Sequence, residues 1–218
     1  MPERWATFDC YGTLIDWDGG IRRELARIFG EGDADRLLAR YHELEPELEH
    51  GGSLTYREVL TRALERIAGE EGAALAEPDA LATSLPSWEP FSEVHASLKD
   101  ARARSWKLAI LSNTDPDFIE VSKRRLGVPF EETVVASEIG SYKPGHKHWE
   151  EFFRRTGADR NGHVHVAASL FHDIRPAKEL DMPSIWINRL GEAPGPQPDR
   201  ELPDLRGLAD ALDELVPG

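Results

Sequence analysis

Four polar clusters follow strand-like stretches of the sequence: Asp9 with Thr13, Ser112 with Asn113, Lys143, and Ser169 with Asp173. Among them are carboxylates, a lysine and hydroxyls. A carboxylate that attacks carbon or phosphorus needs a nearby cation to stay ionised, and covalent catalysis splits one difficult displacement into two easier ones. Taken singly, each cluster reads equally well as a helix cap or a turn pair. Their joint order carries more weight, because the carboxyl ends of parallel strands converge on one rim where residues distant in sequence share a site.

The elements needed to build such a rim can be read along the chain. Residues 5–10 (WATFDC) form a short β-prone run that ends at an acidic residue and the turn signal Tyr11-Gly12-Thr13. From Gly20 to about Gly69 the pattern is helical, with Ile21, Leu25 and Ile28, then Leu37, Leu38, Tyr41 and Leu44, then Val59, Leu60, Ala63, Leu64 and Ile67 at helical spacing. Residues 70–90 are rich in Ala, Glu and Pro, and Pro86 and Pro90 flank Trp88, which reads as a return linker. Beyond Phe91, helices at 94–104, 116–126, 145–157 and 174–180 alternate with strands at 107–111, 133–136, 163–167 and 184–188. The segment 194–198 reads as a surface loop before a last helix. This alternation predicts an α/β fold with a Rossmann-like, doubly wound parallel sheet.

Composition narrows the partners. The 218 residues can bury a real core, and the net charge of -14 leaves no Lys and Arg clusters for a nucleic-acid backbone. A single cysteine, Cys10, rules out a disulfide within the chain and fits a reducing cytoplasm. The N-terminal stretch lacks the basic and apolar pattern of a signal peptide or a membrane span, so a cytosolic, complete protein is expected.

The segments FDCYGTL, LSNTD, SYKP and SLFHD resemble, in order and over nearly the whole chain, the four motifs of the haloacid dehalogenase superfamily. The resemblance implies a catalytic core from residues 1–15 and 89–218, with a small helical cap, 16–88, inserted after the first strand. It implies that Asp9 is the nucleophile, that Thr13 and Ser112 orient bound oxygens, that Lys143 stabilises the anionic nucleophile, and that Asp173 is the acidic group of the last motif. Related dehalogenases also suggest a homodimer.

Position 11 bears most on which chemistry follows. Phosphatases of the superfamily carry a second aspartate two residues after the first, as general acid for the leaving alcohol, whereas this chain has Tyr11. A halide leaves without a proton, but an alkoxide needs one, and losing the acid costs on the order of 10²–10⁴-fold. Aspartate followed at this spacing by an aromatic residue is similar to the L-2-haloacid dehalogenases. A phosphatase of the family would also carry an acidic residue where this chain has Ala168. No cofactor is therefore expected, although Asp9, the Tyr11 carbonyl and Asp173 would remain as a weak Mg²⁺ site. Arg40 falls where those dehalogenases carry an arginine over the active site, suited to a halide or a substrate carboxylate. Tyr11, Ser112, Asn113, Trp149 and Ser169 complete the expected substrate wall.

The chain departs from the dehalogenase pattern at Ala168 and Leu170, at Trp149 in place of a tyrosine, and at His172 in place of an aromatic residue. Ser169 would partly replace a missing hydrogen-bond donor. The expected activity is cleavage of the carbon–halogen bond of a small 2-haloalkanoic acid through an aspartyl ester. The alternatives are a Mg²⁺-dependent phosphatase acting on a small metabolite and a catalytically idle binding protein of the same fold. The pairs His146 and His148, and His163 and His165, lack the Cys or carboxylate neighbours of a zinc site, and the second pair shares one strand face, so packing is the expectation. Cys10 is expected to point away from Asp9 into the core.

Overall fold

In the computed structural model, which describes residues 3–193, 195 and 197–218, the first strand lies at the centre of the sheet. β1 (Arg4–Phe8) is buried from Trp5 to Phe8 and pairs in parallel on both sides. Four helices follow it: α1 (Trp17–Phe29), α2 (Ala34–Glu49), α3 (Tyr56–Glu70) and the short α4 (Ala80–Ser84). The chain then runs through α5 (Val94–Ala103), β2 (Trp106–Ser112), α6 (Pro116–Leu126), β3 (Glu132–Val135), α7 (Ala136–Ile139) and α8 (Lys147–Thr156). It ends with β4 (His163–Ala167), a π-helical turn over Leu170–Ile174, α9 (Arg175–Glu179), β5 (Ser184–Ile187), β6 (Arg200–Leu202) and α10 (Leu208–Leu215).

All the pairings between strands are parallel and the strand order is β3-β2-β1-β4-β5-β6. The order reverses direction at β1, so the crevice at the carboxyl ends of β1, β2 and β4 is where such a sheet takes ligands. β1, β2 and β4 are buried along nearly their whole length, and β2 reads as a near-continuous apolar run, as expected when helices cover both faces of a sheet. The α/β expectation holds. The return segment is more structured than a linker: α4 buries Ala80, Leu81 and Ala82, and Trp88 is 1% exposed. A short three-residue strand, β6, escaped sequence reading because so few residues carry little periodic signal. Of the expected loop at 194–198, Pro194 and Pro196 lie outside the described residues. Among those that are described, no helix is long and apolar enough to cross a membrane.

One contact holds the helical insert to the sheet side at the start of α3, and another closes the insert on itself. Thr55 and Glu58 form a reciprocal cap at the start of α3, and the Asp115 carboxylate, at the end of the β2 loop, accepts from the backbone N–H groups of Tyr56 and Arg57 at 3.0 and 2.9 Å. An anion at a helix N-terminus satisfies donors that have no partner within the helix. On the other side, the Trp88 indole lies directly against Gly20 of α1, where an added Cβ would sit 2.5 Å from the ring. Gly20→Ala is therefore expected to force the indole or α1 to move and to lower stability by about 1–3 kcal/mol. A urea midpoint equal to that of the wild type would show that the two elements have slack.

Candidate active site

The turn after β1 brings Thr13 back onto Asp9. Leu14 and Ile15 both donate their N–H groups to the Cys10 carbonyl, and Gly12 takes a φ of +87°, a left-handed conformation that suits glycine. Thr13 Oγ1 then donates to Asp9 Oδ2 at 2.9 Å and accepts from the N–H of Ala168, just beyond β4, at 2.9 Å. Asp9 Oδ1 accepts from Lys143 Nζ at 2.8 Å. The same ammonium donates to Asp173 Oδ1 at 2.7 Å and to the Leu111 carbonyl at 2.9 Å, so its three protons have three partners.

Asn113 fixes the lysine by its backbone: its Oδ1 accepts from Lys143 N at 2.7 Å and its Nδ2 donates to Lys143 O at 3.0 Å. Burial opposes the charge on Lys143, yet Asp173 and Asp9 hold the ammonium above lysine's ordinary value. Burial raises the Asp9 carboxyl above its usual value, with Lys143 opposing. The Asp173 carboxyl is held below the usual carboxylate range, because Lys143 and His165 outweigh its burial. The arrangement is therefore an ion triad with one ammonium shared between two carboxylates.

These groups open into a cavity of about 510 Å³ between the sheet rim and the insert. Asp9, Tyr11, Ser112, Asn113, Lys143, Ser169 and Asp173 all line it. Ser112 Oγ is buried with no partner among the described residues, and Ser169 Oγ accepts from the N–H of His172 at 3.0 Å, capping the π-helical turn. The Tyr11 hydroxyl hydrogen-bonds Ser122 at 3.0 Å, and its ring lies between Tyr56 and Trp88.

Two expected wall residues lie elsewhere. Arg40 is absent from the cavity: it projects from the outer side of α2 and pairs with Glu43 and Glu70 at 2.7 Å each. The helical period places residues 41, 44, 45 and 48 inward instead, which turns position 40 out. Trp149 is also outside the cavity, fully buried in a separate cluster with Trp5, Leu111 and Phe152. Its place on α8, packed against the sheet, explains why an aromatic residue stands there.

Several lining groups were not apparent from the sequence. Glu45 and Glu49, one turn apart on α2, reach the cavity while buried. Glu45 accepts the hydroxyls of Tyr41 and Tyr56 at 3.0 and 3.2 Å, and burial pushes its carboxyl up to about 7. Burial likewise raises Glu49, which accepts from Asn113 Nδ2 at 3.2 Å. The spacing L-E-x-x-L-E on a helix was the available signal, but charged residues on helices are usually solvated. Arg189, in the loop after β5, is the one guanidinium in the cavity wall among the described residues. It donates to the Thr13 carbonyl at 2.8 Å, pairs with Glu93 at 2.7 Å and lies over the Phe91 ring. His165 was expected to be a packing residue and instead contacts Asp173 at 3.0 Å.

The donor set is poor for magnesium. Among the described residues no group of three or more His, Cys, Asp and Glu side chains is placed to hold a metal. Ala168 supplies no side-chain oxygen, and Lys143 already neutralises the facing oxygens of Asp9 and Asp173. Mg²⁺ requires octahedral oxygen coordination, and of the four carboxylate oxygens of Asp9 and Asp173 only Asp173 Oδ2 is without a partner among the described residues.

Comparisons with known proteins bear on the family. Residues 4–181 match the family model described as haloacid dehalogenase-like hydrolase. The chain is 29% identical to the (S)-2-haloacid dehalogenase of Pseudomonas sp. (strain YL), covering 94% of this chain and 93% of that protein. It is 28% identical to the haloacetate dehalogenase H-2 of Moraxella sp. (strain B), covering 96% of each. A crystal structure of an L-2-haloacid dehalogenase superposes with a TM-score of 0.87 at 20% identity, covering 98% of this chain and all of that one, a likeness of fold. With the motif residues gathered on one rim and the family model spanning most of the sheet, the chain belongs to the haloacid dehalogenase-like hydrolases, a family of enzymes.

Proposed function

We propose that the protein cleaves the carbon–halogen bond of a small 2-haloalkanoic acid, with the helical insert acting as a cap over the site. The observation that carries this reading is the position of Tyr11. Its hydroxyl is turned to Ser122 and its ring is packed between two aromatic residues, so the place where a phosphatase of the family keeps its general acid holds a fixed phenol. Burial raises the Tyr11 hydroxyl well above tyrosine's ordinary value, which makes it a poor proton donor to an alkoxide. Halide needs no such donor. The relatives named as haloacid and haloacetate dehalogenases support the same choice.

In this reading an Asp9 carboxylate oxygen attacks the halogen-bearing carbon in line, the carbon–halogen pair leaves as halide, and an ester of Asp9 forms. Water then adds to the ester carbonyl. Asp173, ionised and with Oδ2 unpartnered, accepts a proton from that water. The intermediate collapses, the alkyl oxygen takes up a proton, and Asp9 is regenerated with release of a 2-hydroxy acid. Lys143 remains against Asp9 throughout and stabilises its anionic forms. Arg189 replaces Arg40 as the candidate for the substrate carboxylate, because its guanidinium is in the wall and that of Arg40 is not. No step in this sequence calls for a metal.

Asp9→Asn is expected to abolish turnover. Single turnover in heavy-oxygen water should label the Asp9 carboxylate, and halide release should survive EDTA. Phosphate release that EDTA abolishes, without halide release, would replace this reading with the Mg²⁺-dependent phosphatase; neither activity would leave a binding protein.

Arg40→Ala is expected to change kcat/KM by less than about 0.5 kcal/mol in activation terms, as for other exposed substitutions. Arg189→Ala should cost about 2–5 kcal/mol, the range for stranding one member of a desolvated charge pair. The measurement is kcat/KM for the best haloacid, with urea midpoints to confirm folding. A large loss at Arg40 and none at Arg189 would reverse the assignment.

Glu45 adds a dependence on pH. Its carboxyl is raised from 4.5 to about 7 in the folded protein, so the folded state holds the proton more tightly than the unfolded chain. The resulting stabilisation is present below the unfolded value and is lost as pH rises through about 7. Ionised Glu45 would also repel an anionic substrate. Glu45→Gln is therefore expected to flatten both the fall in unfolding midpoint and the rise in KM across that interval. Identical profiles for the two proteins would assign the dependence to another group.

A further inference from the structure

Behind the cavity, on the side of Asp173 away from the insert, a line of buried polar groups runs across two adjacent strands. His165 Nε2 lies 3.0 Å from Asp173 Oδ1, His165 Nδ1 lies 2.8 Å from Thr7 Oγ1, and Thr7 Oγ1 lies 2.8 Å from His163 Nε2. Thr7 belongs to β1 and the two histidines to β4, where the strand period of two puts both rings on the same face. All three residues are fully buried. Thr7 pairs directly across from His165 in the parallel ladder, so the register of the sheet sets the contact. Among the described residues, His163 Nδ1 has no partner.

The chemistry of the groups orders the protons. An ionised carboxylate only accepts, so His165 must present Nε2–H to Asp173. In the neutral ring Nδ1 is then an acceptor, which requires the Thr7 hydroxyl to donate to it. The lone pairs of that hydroxyl are left to accept from His163 Nε2–H, and His163 Nδ1 is left as a bare acceptor. That end state agrees with the lone nitrogen that has no partner. The reverse order would leave a buried N–H on His163 without an acceptor, and an orphaned N–H is the rarer and costlier defect. Burial holds the His163 ring well below imidazole's ordinary value, consistent with a neutral ring.

We infer that the His163–Thr7–His165 chain is a positioning device for the second half of the reaction: it locks His165 in its Nε2–H tautomer against Asp173. Two donors, Lys143 and His165, then fill Oδ1 of Asp173, a residue of the cavity wall, and leave Oδ2, without a partner among the described residues, as the acceptor for the attacking water. Attack by Asp9 on the substrate needs none of this, because Asp9 makes its own contacts to Lys143 and Thr13. His165 and Thr7 are positioning residues that touch no substrate. The proposal rests on the reading of Asp173 as the group that accepts the water proton.

The test combines kinetics with a measurement that needs no substrate. Nitrogen-15 NMR of the histidine rings in the full-length protein should show His163 and His165 as neutral Nε2–H tautomers. An Nδ1–H or doubly protonated His165 would overturn the inference whatever the enzyme's substrate. In single-turnover reactions with a haloacid, Thr7→Val should leave the halide burst close to wild type. It should slow hydrolysis of the ester by roughly tenfold to a hundredfold, as expected when a group that orients a reacting one is lost. The ester should accumulate and be visible as added mass on Asp9. Thr7→Ser, which keeps the hydroxyl and loses the methyl, should restore hydrolysis, and His165→Gln should retain more of it than His165→Phe. Equal losses in the Ser and Val variants of matched stability, or parallel slowing of both steps, would reduce the chain to a packing feature. A wild-type protein that releases no halide would refute the proposed function, and the NMR result would still decide the proton order.

Discussion

The ammonium of Lys143 is the constraint on which the site depends. It is 1% exposed and lies between two carboxylates, with the Leu111 carbonyl taking its third proton. A buried charge of this kind is tolerable only when paired and fully hydrogen-bonded, and removing one partner typically costs about 3–5 kcal/mol. The residues that meet there come from the end of β1, the end of β2, the loop before α8 and the turn after β4, so the triad also fixes how the strand ends converge. The shared ammonium also separates the two acids chemically. Burial raises Asp9, whereas His165 and Lys143 hold Asp173 as an anion, and a pair of carboxyls in different environments can take different roles.

The insert builds the other wall by a different logic. It is held to the core by the Asp115 carboxylate at the start of α3, and Trp88 against Gly20 closes it on itself. Trp88 and Tyr56 also pack against Tyr11, so aromatic contacts from the insert fix the side chain two residues after Asp9. Over the cavity the insert presents carboxyls where an arginine was expected. Glu45 is accommodated because two phenols donate to it and because burial favours its protonated form. The cavity wall therefore carries a charge that depends on pH, while its guanidinium comes from the core.

The sheet was readable from the sequence because its strands are buried on both faces and its helices repeat at a different period, two signals that survive without tertiary information. Asp9, Thr13, Ser112, Asn113, Lys143, Ser169 and Asp173 were readable for the same reason: each follows a strand, and a parallel sheet brings strand ends together. Arg40 and Trp149 were misplaced by reasoning from position along a motif. On α2 the helical spacing of Leu37, Tyr41, Leu44 and Leu48 already turns position 40 outward, so the local period outranks position along a motif there.

The sequence by itself determined the fold class, the order of the motifs and the chemical types at the rim, because these depend on hydrophobic period and on residues close together along the chain. Only the tertiary structure decided that Lys143 bridges Asp9 and Asp173, that Arg189 enters the cavity, and that Thr7 joins His163 and His165 behind Asp173. Each of these is a contact between groups distant in sequence, set by strand register or helix rotation to within a hydrogen-bond length. Such precision comes from the packing of the whole core and is encoded in no single segment.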